Sequence, residues 1–377
     1  MKIKSENVLI DGKFIKACIY LNQGFINKIL PYECDAIDYG NDYIVPGFID
    51  IHTHGGYGLS FMDHDINAIK NLKKKYASEG TTSFLATSTS LPIDELKENL
   101  NYISKVIDTQ CIDGSSKIIG IHLEGPFINE QYAGSQRKDC LKMPTICLLN
   151  ELNNACKGNI KRVTLASELD HNHEVIKYAS KNKIIVSNGH SNASFEEANL
   201  AIKDGSNLIT HFYNGMPEFA HRNPGIVGAG LLSKNVYAEV IADGYHVDFP
   251  AIELLYNSIG KDRIILITDA NMAKGLSEGL YEFNGRKVRV DKKGISRLES
   301  TGSLAGSTVS LNVCLKNIVQ KTKIPLEEAI GFITRNPAKL FKLKNVGELK
   351  EGYKADLTII NEKFEIVNTI IEGVGKE

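Results

Sequence analysis

Apolar residues recur along the chain at two different spacings. Eight runs are short and apolar without clean alternation: 44–51, 83–87, 118–123, 160–166, 184–187, 208–211, 237–242 and 264–268. That is the pattern of strands covered on both faces. Between them lie helical spacings, such as Ile66, Ile69, Leu72 and Tyr76, then Leu96, Leu100, Ile103 and Ile107. Asp65 and Asp94 stand near the starts of these helices, where a carboxylate meets free N–H groups, and Gly80 and Gly205 fit helix ends.

The two chain ends read differently. Residues 8–10 run into an Asp11-Gly12 turn, and 15–21 lead to a turn at Gly24. At the other end, 355–360 and 366–371 form a plausible hairpin pattern. Because chain termini often lie close together, both ends are expected to build one small β-sandwich domain, from residues 1–45 and 341–377. Residues 46–340 would then be a single α/β domain.

Eight strands with helical crossovers predict a (β/α)8 TIM barrel, with an open doubly wound sheet as the rival. Polar residues decide between them, since they fall at nearly every strand end. His52 and His54 follow the first run, Glu124 the third, His190 the fifth and His211 the sixth. Asp243 and His246 follow the seventh, and Asp269 the eighth. Only a closed barrel gathers all of these around one mouth.

Charge narrows the function. The 377 residues carry 44 Lys+Arg against 45 Asp+Glu, a formal charge of −1, which gives no support to nucleic-acid binding. No apolar stretch approaches the ~20 residues that span a bilayer, and the N-terminus does not resemble a secretory signal. The seven cysteines (18, 34, 111, 140, 147, 156 and 314) form no Cys-x-x-Cys pair and are odd in number. Reduced thiols in a cytoplasmic protein are the expectation.

In Asp50-Ile51-His52-Thr53-His54, residues two apart on a strand point the same way, so both imidazoles can approach one ion. A His-x-His pair alone is a weak signal. Glu124 ends an apolar strand, where an unpaired carboxylate is costly and a cation or an Arg would resolve the cost. His122, two residues earlier, reads as packing deeper in the barrel. With His190 and His211, Glu124 makes a two-nitrogen, one-oxygen set suited to Zn²⁺ or another divalent transition metal. Glu124 could also bridge to a second ion held by His52 and His54. Asp269 closes the most apolar run of all and suits a general base that later returns its proton as a general acid. His246 is a candidate donor to a polarised carbonyl. Asn214, Gly215 and Arg222 share one loop able to hold an anion such as phosphate. These parts point to hydrolysis of a C–N or ester bond.

Several stretches carry a family resemblance: Pro46-Gly47-Phe48-Ile49-Asp50-Ile51-His52-Thr53-His54-Gly55, His122-Leu123-Glu124-Gly125-Pro126-Phe127, Gly189-His190-Ser191-Asn192-Ala193, Thr210-His211-Phe212-Tyr213-Asn214-Gly215-Met216, Asp243-Gly244-Tyr245-His246, Thr268-Asp269-Ala270 and Gly302-Ser303-Leu304-Ala305-Gly306-Ser307. The chain resembles the N-acetylglucosamine-6-phosphate deacetylases of the amidohydrolase superfamily. That resemblance implies a metal on Glu124, His190 and His211, a second metal position at His52 and His54, and Asp269 as base and acid. One or two divalent ions are implied, Zn or Fe ahead of Mn or Co. The substrate would be N-acetyl-D-glucosamine 6-phosphate, with Asn214 and Gly215 on its phosphate and Arg222 reaching in across a homodimer. Ser135 and Gln136 would face sugar hydroxyls, His246 the acetyl carbonyl, and Leu304 the sugar. Glucosamine 6-phosphate would enter amino-sugar catabolism and cell-wall recycling. Two positions depart from the family: Asn214-Gly215 stands where Asn-Ala is common, and Ser135-Gln136 where some members have Ala-His.

Overall fold

The computed structural model describes residues 1–283 and 285–375. Its centre is an eight-stranded parallel sheet of Phe48–Thr53, Thr81–Thr87, Lys117–Glu124, Ile160–Leu165, Ile185–Asn188, Ser206–Ile209, Tyr237–Val240 and Ile264–Leu266. Each strand pairs with the next in chain order. Beyond the eighth strand the ring closes onto the first. Thr53 bridges Ala270, Asp269 N donates to His52 O at 2.8 Å, and His54 N donates to Ala270 O at 2.8 Å. The sheet is therefore a (β/α)8 barrel, and its closing contacts run through the strand-end residues themselves.

Helices cover the outside because parallel strands must be joined by crossovers. Ile66–Ser78 buries Ile69, Leu72 and Tyr76, and Ile93–Thr109 buries Leu96, Leu100 and Ile103. Asp65 caps the first through Asn67 N at 2.7 Å. Asp94 lies in the first turn of the second, after Pro92. Gly205 ends the helix Phe195–Asp204, whose start is a reciprocal Ser194–Glu197 capping box.

The first expected run, 44–51, is two strands in two sheets. Tyr43–Pro46 pairs antiparallel with Leu357–Ile360 and parallel with Lys2–Ile10, whereas Phe48–Thr53 opens the barrel. Gly47 makes the crossing, and a Cβ there would lie 2.3 Å from the Thr82 side chain. An apolar pattern cannot reveal such a break, because both strands are buried.

Tyr43–Pro46 belongs to a seven-stranded sheet shared by the chain ends, in the order Ile366–Ile370, Leu357–Ile360, Tyr43–Pro46, Lys2–Ile10, Lys13–Asn22 and Phe25–Leu30, with Ile37–Asp38 beside Lys2–Ile10. Ile3, Val8, Ile19, Ile26, Ile44, Leu357 and Ile359 form its core. A disulfide joins Cys18 to Cys34 here, correcting the expectation of seven reduced thiols. Folding brings these Cα atoms to 6.5 Å, a proximity that cysteine count and spacing do not encode. The other five cysteines are free.

A three-stranded antiparallel insertion, Gly279–Phe283, Arg286–Val290 and Ser296–Leu298, follows the eighth barrel strand and was not expected from the sequence. Among the described residues, no helix is long and apolar enough to cross a membrane.

Candidate active site

The barrel mouth brings together side chains from five strand ends. His52 and His54 extend from the first strand, and Glu124 ends the third. Glu124 Oε1 lies 3.2 Å from His52 Nε2, 3.5 Å from His190 Nε2 and 3.6 Å from His211 Nε2. Its Oε2 lies 3.1 Å from His54 Nε2. Asp269 Oδ1 is 3.2 Å from His54 Nε2 and 3.4 Å from His52 Nε2. Two triads thus share Glu124, namely His52–His54–Glu124 and Glu124–His190–His211, each with its ligand atoms within 4.8 Å of one another.

The hydrogen bonds around the histidines fit a cation. His190 Nδ1–H donates to Tyr132 O at 2.7 Å, and His211 Nδ1–H donates to Asn214 O at 3.0 Å. A neutral imidazole has one donor and one acceptor nitrogen, so both Nε2 atoms then present lone pairs. These two Nε2 atoms face each other at 3.0 Å. Two lone pairs so close repel unless a positive centre lies beside them, and fixing Nδ1–H on an oxygen is how ligating histidines are oriented. His52 Nε2 and Glu124 Oε1 are also buried without a hydrogen-bond partner among the described residues. His190, His211 and Asp269 have φ of +47°, +27° and +46°, left-handed values that cost energy for residues with a Cβ and cluster at functional sites.

Electrostatics agree. Burial alone would lower the His52 pKa, but the Glu124, Asp269 and Glu239 carboxylates overcome this and push it up to about 10. Burial alone would raise Asp269, yet His52 and His54 bring it down to about 2. Burial alone would raise Glu124, but His52 and the neighbouring His190 and His211 hold it well below its ordinary range. A field that favours protons on buried imidazoles also favours a divalent cation.

A cavity of about 210 Å³ opens onto this cluster. Ser135, Gln136, Asn214, Gly215, His246 and Leu304 line it, together with Phe283 from the insertion. His246 Nδ1–H donates to Asp243 Oδ2 at 2.7 Å, leaving Nε2 for another partner. Gln136 is turned inward: its Nε2 donates to Glu124 Oε2 at 2.9 Å, and its Oε1 accepts from Ser90 N at 2.6 Å. A Cβ on Gly215 would come within 3.1 Å of His190 Nδ1 and His211 Cε1, so glycine lets this loop pass close to the histidines. Arg222 is exposed and lies outside the cavity lining. His122 packs beneath the site, bonded to Thr164 Oγ1 at 2.7 Å.

Arg162 and Glu239, which belong to no recognisable motif, form a fully buried ion pair beneath the histidines. The signal was available, since each charge sits inside an apolar strand run, the same cost argument that singled out Glu124. Arg286 is likewise unmarked by any sequence pattern. Its Nη1 donates to Gly134 O and Gln136 O, both at 3.3 Å.

A closed (β/α)8 barrel with histidines and carboxylates gathered at its strand ends defines a metal-dependent hydrolase. The Amidohydrolase family model matches residues 43–375, and the chain belongs to that family. It is 36% identical to an N-acetylglucosamine-6-phosphate deacetylase of Lysinibacillus sphaericus, over 94% of this chain and 92% of that protein. It is also 32% identical to an N-acetylgalactosamine-6-phosphate deacetylase of Escherichia coli O157:H7, over 93% and 92%. The solved N-acetylglucosamine-6-phosphate deacetylase of Thermotoga maritima superposes with a TM-score of 0.89 at 31% identity, covering 100% of this chain and 99% of that one. The resemblance drawn from the His122–Phe127 and Asn214–Met216 motifs therefore extends over nearly the whole chain.

Proposed function

We propose that the protein removes the acetyl group from N-acetyl-D-glucosamine 6-phosphate, releasing D-glucosamine 6-phosphate and acetate. The observation that carries this reading is the facing pair of Nε2 lone pairs beside Glu124, with the Asp269 carboxylate on the same cavity. Glu124, His190 and His211 would hold a divalent ion, Zn or Fe ahead of Mn or Co, with His52 and His54 forming a second position around the shared Glu124. Such an ion supplies Lewis acidity, lowering the pKa of a water and polarising the carbonyl.

This chain's own residues do the rest. Asp269 accepts the proton of the attacking water and delivers it to the departing amine nitrogen. His246, oriented by Asp243, donates from Nε2 to the acetyl oxygen. Asn214 and the Gly215 N–H receive the phosphate, and Arg222, turned away from its own cavity, reaches the cavity of a second subunit in a homodimer. Leu304 and Ser135 border the sugar. Gln136 contributes through Glu124, because both ends of its amide are already engaged within the protein. The cytoplasm is the expected location, and residues 1–45 and 341–377 serve as one domain beside a 46–340 barrel.

Acetate release from the phosphorylated sugar, its galactosamine epimer and unphosphorylated N-acetylglucosamine tests this, alongside elemental analysis of protein purified without added metal. Losing two charge-assisted hydrogen bonds, at about 1.5–3 kcal/mol each, lowers kcat/KM for the unphosphorylated sugar by about 100-fold or more. Equal efficiency with and without phosphate would sink the assignment. A preference for the galactosamine epimer would replace the named sugar.

A further inference from the structure

TIM-barrel interiors are ordinarily filled by branched apolar side chains. Here the interior carries an ion pair, with Arg162 from the fourth strand and Glu239 from the seventh, both fully buried. Both Nη atoms of Arg162 reach the Glu239 carboxylate, Nη2 at 2.8 Å. Arg162 also donates to Ile51 O at 3.2 Å and to Thr210 Oγ1 at 3.1 Å. Held this way, Glu239 Oε2 takes two further bonds at the site. It accepts from His52 Nδ1–H at 3.2 Å and from the His211 backbone N–H at 3.1 Å. The Glu239 backbone carbonyl accepts from Phe212 N at 2.8 Å, tying the same strand to the turn that carries His211.

We infer that Glu239, clamped by Arg162, is a positioning residue that commits His52 to metal ligation through Nε2, and so governs whether the second metal position fills. Three observations carry this. A buried carboxylate holds a proton on Nδ1, so Nε2, which faces Glu124, is the His52 nitrogen left to ligate a cation. That Nε2 has no hydrogen-bond partner among the described residues. The Glu239 carboxylate touches one candidate ligand, His52, through its side chain and another, His211, only through backbone. The asymmetry has a consequence. The His190 and His211 rings are oriented by the backbone carbonyls of Tyr132 and Asn214, and Glu239 meets His211 only at its backbone, so the ring tautomers at the two metal positions are set by different partners.

The inference rests on the metal-holding reading of the site given above. Its test therefore uses metal alone, while acetate release by the wild-type protein judges that reading separately. Metal-free wild type and Glu239→Gln are titrated with Zn²⁺ against a chromophoric chelator, with bound metal counted after gel filtration. Expected are two binding steps in wild type, and in the variant a 10–100-fold weakening confined to one of them. In a His52→Asn background, which removes the ligand itself, Glu239→Gln should change nothing further. The inference is overturned if the variant binds both ions as wild type does, if wild type binds only one ion, or if both steps weaken together. Should Glu239→Gln fail to fold, Arg162→Met with Glu239→Gln removes both charges at once and is read against the same outcomes.

Discussion

Asp269 shows how much of this site is decided at single residues. Its φ of +46° turns the chain at the end of the eighth strand, its N–H closes the barrel on His52 O, and its carboxylate lies within 3.4 Å of both first-strand histidines. Backbone and side chain are thus fixed by different contacts, and replacing the side chain alone should leave the closure intact. For Asp269→Asn we expect kcat to fall by about 10²–10⁴, the range for losing a positioned acid–base group, with metal content unchanged. Steady-state kinetics paired with elemental analysis check this, and near-normal turnover would remove Asp269 from the reaction. The Glu239–Arg162 pair makes the complementary point. Removing one partner strands the other as a buried charge, so Glu239→Leu should cost about 3–5 kcal/mol of stability, more than the double replacement.

At the scale of elements, the barrel supplies the histidines and carboxylates and its connections supply the walls. The Gly279–Leu298 insertion places Phe283 6.2 Å from the His54 ring and sends Arg286 to the carbonyls of Gly134 and Gln136. The 134–136 segment in turn carries the amide that bonds Glu124. Arg286→Ala should therefore loosen a cavity wall while sparing the reacting groups. We expect KM for the phosphorylated sugar to rise by up to about 30-fold, with kcat held within about two-fold, since two hydrogen bonds of about 1 kcal/mol each are lost. A fall in kcat at constant KM would instead assign the insertion a part in the chemistry.

The whole molecule raises the question of a second copy. Arg222 is exposed and away from its own cavity, so a phosphate role for it requires a neighbouring subunit. Arg222→Ala alone should raise KM for the phosphorylated sugar. Mixed with Asp269→Asn and allowed to reassociate, it should regain activity, because one site of each mixed dimer keeps both its own Asp269 and the partner-borne arginine. In a two-fold dimer with random pairing, recovery reaches roughly a quarter of wild type. Activity no greater than the sum of the two separate variants would place Arg222 outside the partner's site.

Local chemistry made the barrel strands, the first two helices and the strand-end histidines and carboxylates readable, because burial on both faces, helical spacing and the cost of a carboxylate after an apolar run all act within a few residues. The same locality explains what stayed hidden. The crossing at Gly47 depends on Thr82, the Cys18–Cys34 bond on how neighbouring strands pair, and the inward turn of Gln136 on Glu124 and Ser90. Which atom of each histidine faces the others is likewise settled by carbonyls and carboxylates up to 187 positions away in the chain. The chain's order of residues determined which chemical groups arrive at the mouth. Only closure of the barrel decided their tautomers, their distances and which buried charge holds which ligand, because hydrogen bonds between remote segments exist only after folding has brought those segments together.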